Sequence, residues 1–157
     1  MWHRTAGFSL IELVVVVALL GILAMIAIPS VKQSELNLLS GMEEFLANMR
    51  LARASAMGRG VHYRVTISTD SYAIDRLKLN NGTWVHDPVF SVQTVGLPKR
   101  VTIIAGVGET FEFNSRGLLE ENADGTPAAQ VTVTLKDNKN NEDRTVNVWP
   151  SGQIQEG

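Results

Sequence analysis

The chain of 157 residues contains no cysteine. That excludes a disulfide framework, a thiolate zinc site and a cysteine nucleophile. It has no Gly-x-Ser-x-Gly nucleophile elbow. Gly106-Val107-Gly108 lacks the third glycine of a dinucleotide loop and precedes a strand-like stretch. The three histidines, His3, His62 and His86, are scattered, whereas a metal centre gathers its ligands at close spacing. Net charge is only −2, so the chain as a whole has no electrostatic pull towards nucleic acid or anionic lipid. Charged residues, at 19%, fall below the roughly 25% of an average soluble protein. Residues 13–28 carry no charge, which accounts for the deficit.

What is present begins with that uncharged run. Residues 8–28 read FSLIELVVVVALLGILAMIAI. As a helix this spans roughly 31 Å, the thickness of a bilayer's hydrocarbon core. Arg4 and the terminal amine precede it, which predicts a cytoplasmic N-terminus with the remainder across the membrane. A cleaved secretory signal is the competitor. The run exceeds the usual 7–15 apolar residues, and Leu23-Ala24-Met25-Ile26-Ala27 offers no Ala-x-Ala. Glu12 stands apart, because a carboxylate in an apolar span costs about 2.5–3.5 kcal/mol. Two readings of it stay open: snorkelling to the headgroups, or pairing with a cation inside the membrane.

Gly7-Phe8-Ser9-Leu10-Ile11-Glu12-Leu13, with the basic leader before it and the apolar tract behind, resembles the processing motif of type IV prepilins and type II secretion pseudopilins. Gly21 and Pro29 stand where these families carry helix breakers. The resemblance implies cleavage by a prepilin peptidase between Gly7 and Phe8, followed by N-methylation of Phe8. It also implies that Glu12 pairs with the terminal amine of a neighbouring subunit, which supplies the missing cation.

Beyond Pro29 the period becomes helical. Leu38, Met42, Phe45, Met49, Ala52 and Ala56 form one apolar stripe, predicting a helix over 30–57 ended by Gly58 and Gly60. With the membrane run this makes a helix of about 50 residues whose weak points are Gly21 and Pro29. Met25, Met42, Met49 and Met57 read as packing residues rather than ligands. After Gly60 the period is two. Val61, Tyr63, Val65 and Ile67 point inward while His62, Arg64, Thr66 and Ser68 point outward. Asn80-Asn81-Gly82 marks a hairpin between 71–79 and 83–86, and that turn role is sufficient for its formal glycosylation sequon. Further strands are expected at 89–95, 100–104, 109–114, 130–136 and 144–149.

A second stretch is similar to the periplasmic domain of the GspH/FimT branch of minor pseudopilins and minor pilins. It comprises Phe111-Glu112-Phe113-Asn114-Ser115-Arg116-Gly117, residues 131–135, and Val146-Asn147-Val148-Trp149-Pro150-Ser151-Gly152-Gln153-Ile154. The expected fold is α+β and pilin-like, a long N-terminal helix packed on antiparallel sheet. The expected parts are a leader at 1–7, a membrane and filament-core helix at 8–28, an amphipathic half at 29–59 and a β-rich periplasmic domain at 60–157. No enzymatic chemistry, cofactor or metal is expected. Expected partners are the prepilin peptidase, other minor and major pseudopilins or pilins, an inner-membrane assembly platform and membrane lipid.

The resemblance implies a minor subunit of the type II secretion pseudopilus, with a type IV pilus minor pilin as the rival. A non-polymerising, single-span binding module is the reading from another class. Some pilus-branch members take up DNA through a C-terminal Gly-Arg-x-Arg. Here Gly152-Gln153-Ile154-Gln155 replaces both arginines and Glu156 follows, which argues against DNA. Arg50, Arg53 and Arg59 read as a solvated helix face. The acidic loops 120–125 and 137–143 hold oxygen ligands but not the EF-hand spacing, so solvated turns are expected rather than calcium sites.

Overall fold

The computed structural model describes residues 10–27, 33–120 and 128–157. It divides the chain into two units, Met1–Lys32 and Gln33–Gly157.

In the first unit, α1 covers Leu10–Ala27, 18 residues. Its apolar residues run all round the helix, so no one face is marked for burial, and residues 10–21 are exposed throughout. Among the described residues no helix is long and apolar enough to cross a membrane. Gly21 lies within α1 and does not end it. Glycine weakens a helix by about 1 kcal/mol relative to alanine but keeps its hydrogen bond, so long apolar neighbours carry the helix through. Pro29, the start of the predicted second helix at 30–32 and the continuity of the two helices lie outside the described residues.

The second unit opens with α2, Gln33–Arg59. Its buried stripe is the expected one with Leu46 added: Leu38, Met42, Phe45, Leu46, Met49, Ala52 and Ala56. The helix runs through Gly58 and stops one residue before Gly60. There a φ of 63° lets the amide of Val61 donate to the Ala56 carbonyl at 3.3 Å. This is the left-handed cap that glycine tolerates best.

Two antiparallel sheets follow. The first contains β1 (His62–Ile67), β2 (Ser71–Asn80), β3 (Thr83–His86), β4 (Gln93–Gly96) and β6 (Thr110–Phe113). Its order is β3-β2-β1-β6, with β4 also pairing with β2. The second contains β5 (Val101–Ala105), β7 (Val131–Asp137), β8 (Asp143–Val148) and β9 (Ile154–Glu156), in the order β5-β7-β8-β9. The β2–β3 hairpin turns at Asn81 and Gly82, with φ of 49° and 83°, as the Asn-Gly pair demands. The strand expected at 89–95 shrinks to β4. Asp87 instead folds the preceding loop, accepting from the amide of Val89 through Oδ1 and of Phe90 through its carbonyl. β9 was not expected, because three residues are too few to show a period.

The core lies where α2 covers both sheets. Val65 and Ile67 of β1, Phe111 and Phe113 of β6, Val133 and Leu135 of β7, and Val146 and Val148 of β8 close on the helix stripe. Phe45 meets Tyr72 edge to face at 5.0 Å, a favourable aromatic geometry. The Tyr72 hydroxyl stays satisfied by accepting from Asn48 Nδ2 at 2.7 Å. Burial pushes this phenol up to about 12; the Asn48 hydrogen bond opposes the shift and the Glu44 carboxylate adds to it.

Candidate functional site

The α1 surface is built from its sequence directly. Leu13, Leu19 and Leu20 are each more than half exposed, and none of residues 10–21 turns inward. An all-round apolar helix needs lipid or other helices about it. Glu12 lies in its first turn, where a carboxylate complements the helix dipole, and it is exposed. A Cβ built on Gly21 meets nothing within 4 Å among the described residues, so none of them requires glycine there. Gly7 and Phe8, the expected processing pair, lie outside the described residues.

On α2 the expected basic strip divides. Arg50 and Arg59 are exposed. Arg53 is not simply solvated: its Nε donates to the Gly117 carbonyl at 2.8 Å and a terminal nitrogen to the Ser151 carbonyl at 3.3 Å. The two glycine-bearing turns of the C-terminal resemblance thus come together on one guanidinium. Gly117 and Gly152 have φ of 74° and 76°. A Cβ on Gly117 would stand 2.6 Å from Met57 Sδ, and one on Gly152 would stand 2.6 Å from Arg53 Nε. Asn114 completes the first turn by accepting through Oδ1 from the amides of Arg116 and Leu118.

The Gly152-Gln153-Ile154-Gln155 segment enters β9. Ile154 is buried opposite Val148, Gln153 and Gln155 are exposed, and Glu156 pairs with Arg144 at 2.6 Å. No cation stands in this segment to meet a phosphate.

His62 departs from expectation. It lies on the sheet face turned away from α2, as alternation predicts, yet only 5% of it is exposed. Its ring stacks on Trp84 at 3.8 Å, and Leu77, its register partner on β2, is buried apart from the main core. A tryptophan two strands away covers the position, and periodicity within β1 carries no sign of it. His86 binds Asp75 at 2.6 Å on the same face. Among the described residues, no three His, Cys, Asp or Glu side chains are placed to hold a metal ion. Of the acidic loops, 121–127 lies outside the described residues. The 137–143 loop is a hairpin turn between β7 and β8 in which Asp137 Oδ1 accepts from the Lys139 amide at 2.9 Å.

An N-terminal helix feeding a helix-covered pair of antiparallel sheets is the architecture of pilin-like proteins. Two family descriptions match: a prokaryotic N-terminal methylation motif over residues 2–28, and type II transport protein GspH over residues 42–152. The second spans more than half of the chain, which therefore belongs to the GspH family, the minor pseudopilin and minor pilin type. The fold is similar to that of the type IV minor pilin FimU of Pseudomonas aeruginosa. Identity is 19% and the TM-score 0.55, over 76% of this chain and 87% of that one. It is also similar to the minor pseudopilin EpsH from the type 2 secretion system of Vibrio cholerae. There identity is 16% and the TM-score 0.51, over 76% of this chain and 94% of that one. Among curated proteins no match was found.

Proposed function

We propose that the chain is a minor subunit of the type II secretion pseudopilus, acting by assembly rather than by chemistry. The carrying observation is α1, apolar on every side, exposed over residues 10–21 and bearing a single carboxylate in its first turn. Residues 1–7 are a leader removed between Gly7 and Phe8 by the prepilin peptidase, and Phe8 is then methylated. Residues 8–28 hold the subunit in the inner membrane as one pass, with the β-rich domain in the periplasm, until an assembly platform extracts it. Glu12 then offsets the terminal amine of a neighbouring subunit, because a lone carboxylate among apolar helices is stable only when paired. Residues 29–59 carry the helix onto the sheet domain from 60 to 157, which presents the surface for other pseudopilins. The match to the GspH family over residues 42–152 supports this reading.

The test is deletion of the gene in its host, with released folded enzymes and surface pili assayed side by side. Secreted proteins trapped in the periplasm, with pili intact, are the expected result. Loss of pili, twitching or DNA uptake with normal secretion would move the chain to the type IV pilus as a minor pilin. Retention of residues 1–7 in the membrane-extracted protein would instead make it an anchored, non-polymerising binding module.

A further inference from the structure

The face of the second sheet turned away from α2 ends in an exposed indole. Val146 and Val148 of β8 are buried in the core, so Asn147 between them and Trp149 after them point outward. Trp149 is 40% exposed, although tryptophan is a residue that folding normally covers. Its amide donates to the Gln153 carbonyl at 2.9 Å, which sets Gln153 beside it across the turn into β9. On its other side Val131 pairs with Val148, so Gln130 falls next to Trp149 at the start of β7. We propose that this face is a carbohydrate-binding platform. Trp149 stacks on one pyranose ring of an uncharged oligosaccharide, and the amides around it hold the hydroxyl groups.

Charge selects the occupant. Residues 130–134 and 145–155, which build this part of the sheet, include no charged side chain, in a chain that is 19% charged. Beside them Arg144 and Glu156 neutralise each other at 2.6 Å. A nucleic acid needs cations for its phosphates, and these segments supply none. A charged peptide would give up water without gaining a counter-charge. An apolar partner would bury the amides and hydroxyls around the indole with nothing to bond them. A neutral sugar meets none of these costs. Its ring has an apolar C–H side that an indole covers, and its rim of hydroxyls both donates and accepts.

The polar groups have the matching chemistry. A side-chain amide presents a donor and an acceptor side by side, the pattern that two neighbouring hydroxyls answer. Gln130, Thr132, Gln153 and Gln155 are exposed. Asn147 stands between Thr132 and Gln155 in the register of the sheet. Its Oδ1 accepts from Gln130 Nε2 at 2.8 Å and from Thr132 Oγ1 at 2.9 Å. Those bonds set the Asn147 amide plane before a ligand arrives, which lowers the ordering cost of binding. A sheet face is a flat strip and not a cavity, so it fits the side of an extended, β-linked chain and gives modest affinity.

The experiment titrates the full chain, in an amine-oxide detergent that carries no sugar, with chitohexaose and cellohexaose, two uncharged β-linked hexasaccharides. Calorimetry gives the affinity, and saturation transfer from protein to the sugar ring protons reports the stacking. At least one hexasaccharide should bind. Trp149→Ala should weaken that binding at least about tenfold, and Trp149→Phe should recover most of it. Gln153→Ala should weaken it by about two- to fivefold, the loss of one solvated hydrogen bond. Trp149 and Gln153 are exposed, so these variants should unfold near the wild-type temperature, which separates ligand loss from misfolding. Absence of binding by both sugars, or equal binding by wild type and Trp149→Ala, would overturn the proposal. So would a single-stranded oligonucleotide held through Trp149 in place of either sugar. Failure of Trp149→Ala to enter filaments, with no sugar bound by wild type, would give the face to a neighbouring subunit instead.

Discussion

Gly152 sits so close to Gly117 that a Cβ added to it would overlap the Gly117 carbonyl oxygen, the same oxygen that accepts from Arg53 Nε. The two turns are far apart in the chain, yet each needs glycine for two reasons: a positive φ and the absence of a side chain. A turn glycine free of contacts provides the comparison. Gly82 has φ 83° with nothing within 4 Å of a built Cβ. Gly82→Ala should therefore cost about 1 kcal/mol, the backbone term alone. Gly152→Ala should cost at least about 3 kcal/mol, since backbone must also move. Denaturant unfolding of both variants measures the difference, and equal losses would refute the contact.

Arg53 should behave as a clamp and not as a solvated charge. Hydrogen bonds from a charged donor contribute about 1.5–3 kcal/mol each when buried, and Arg53 is half-buried. Arg53→Ala should destabilise by about 1–2 kcal/mol. Arg53→Lys should recover little, because an ammonium lacks the fork that reaches two carbonyls. Arg50→Ala, on an exposed residue, should stay within about 0.5 kcal/mol of wild type. Thermal unfolding of the three variants provides the check.

Tyr72 gives the domain an alkaline limit. Its folded phenol ionises near 12, above the ordinary 10 of the unfolded chain. Between those values the unfolded state loses its proton first, so stability holds below about pH 10 and falls as pH rises towards 12. The slope from this one group is at most about 1.4 kcal/mol per pH unit. Tyr72→Phe should flatten that segment of the stability profile, at the expense of the Asn48 hydrogen bond at neutral pH. Phenolate absorbance in a pH titration reports the group directly.

Glu12→Val tests the assembly reading. The substitution leaves Gly7 and Phe8 in place, so cleavage should proceed at the wild-type extent. Incorporation into filaments should fall at least about tenfold, since the terminal amine of the neighbour would lose its counter-charge. Mass of the membrane-extracted protein and immunoblotting of sheared filaments measure the two steps. Normal incorporation would sink the pairing.

The α2 stripe, the Asn-Gly hairpin and most strands of the sheets were legible because each expresses a local period or a local backbone demand. Leu38, Met42, Phe45 and Met49 sit at helical spacing, and helical spacing alone puts them on one side. His62 and Arg53 were misread for a common reason. Periodicity names a face but not what covers it, and their partners come from β3 and from two distant turns. β9 escaped because Ile154 to Glu156 is too short to alternate, and it exists because Val148 offers an edge.

The sequence by itself determined the apolar helix with its one carboxylate, the amphipathic helix after it, and the alternation that makes a sheet domain. These follow from spacing along the chain, where a residue's nearest neighbours are known. Only the tertiary structure decided which strands pair, that Arg53 ties Gly117 to Ser151, and that Trp84 stacks on His62. Such contacts join residues tens of positions apart, and they depend on the register and twist of paired strands. A single chain's residue order does not encode that register in any local pattern.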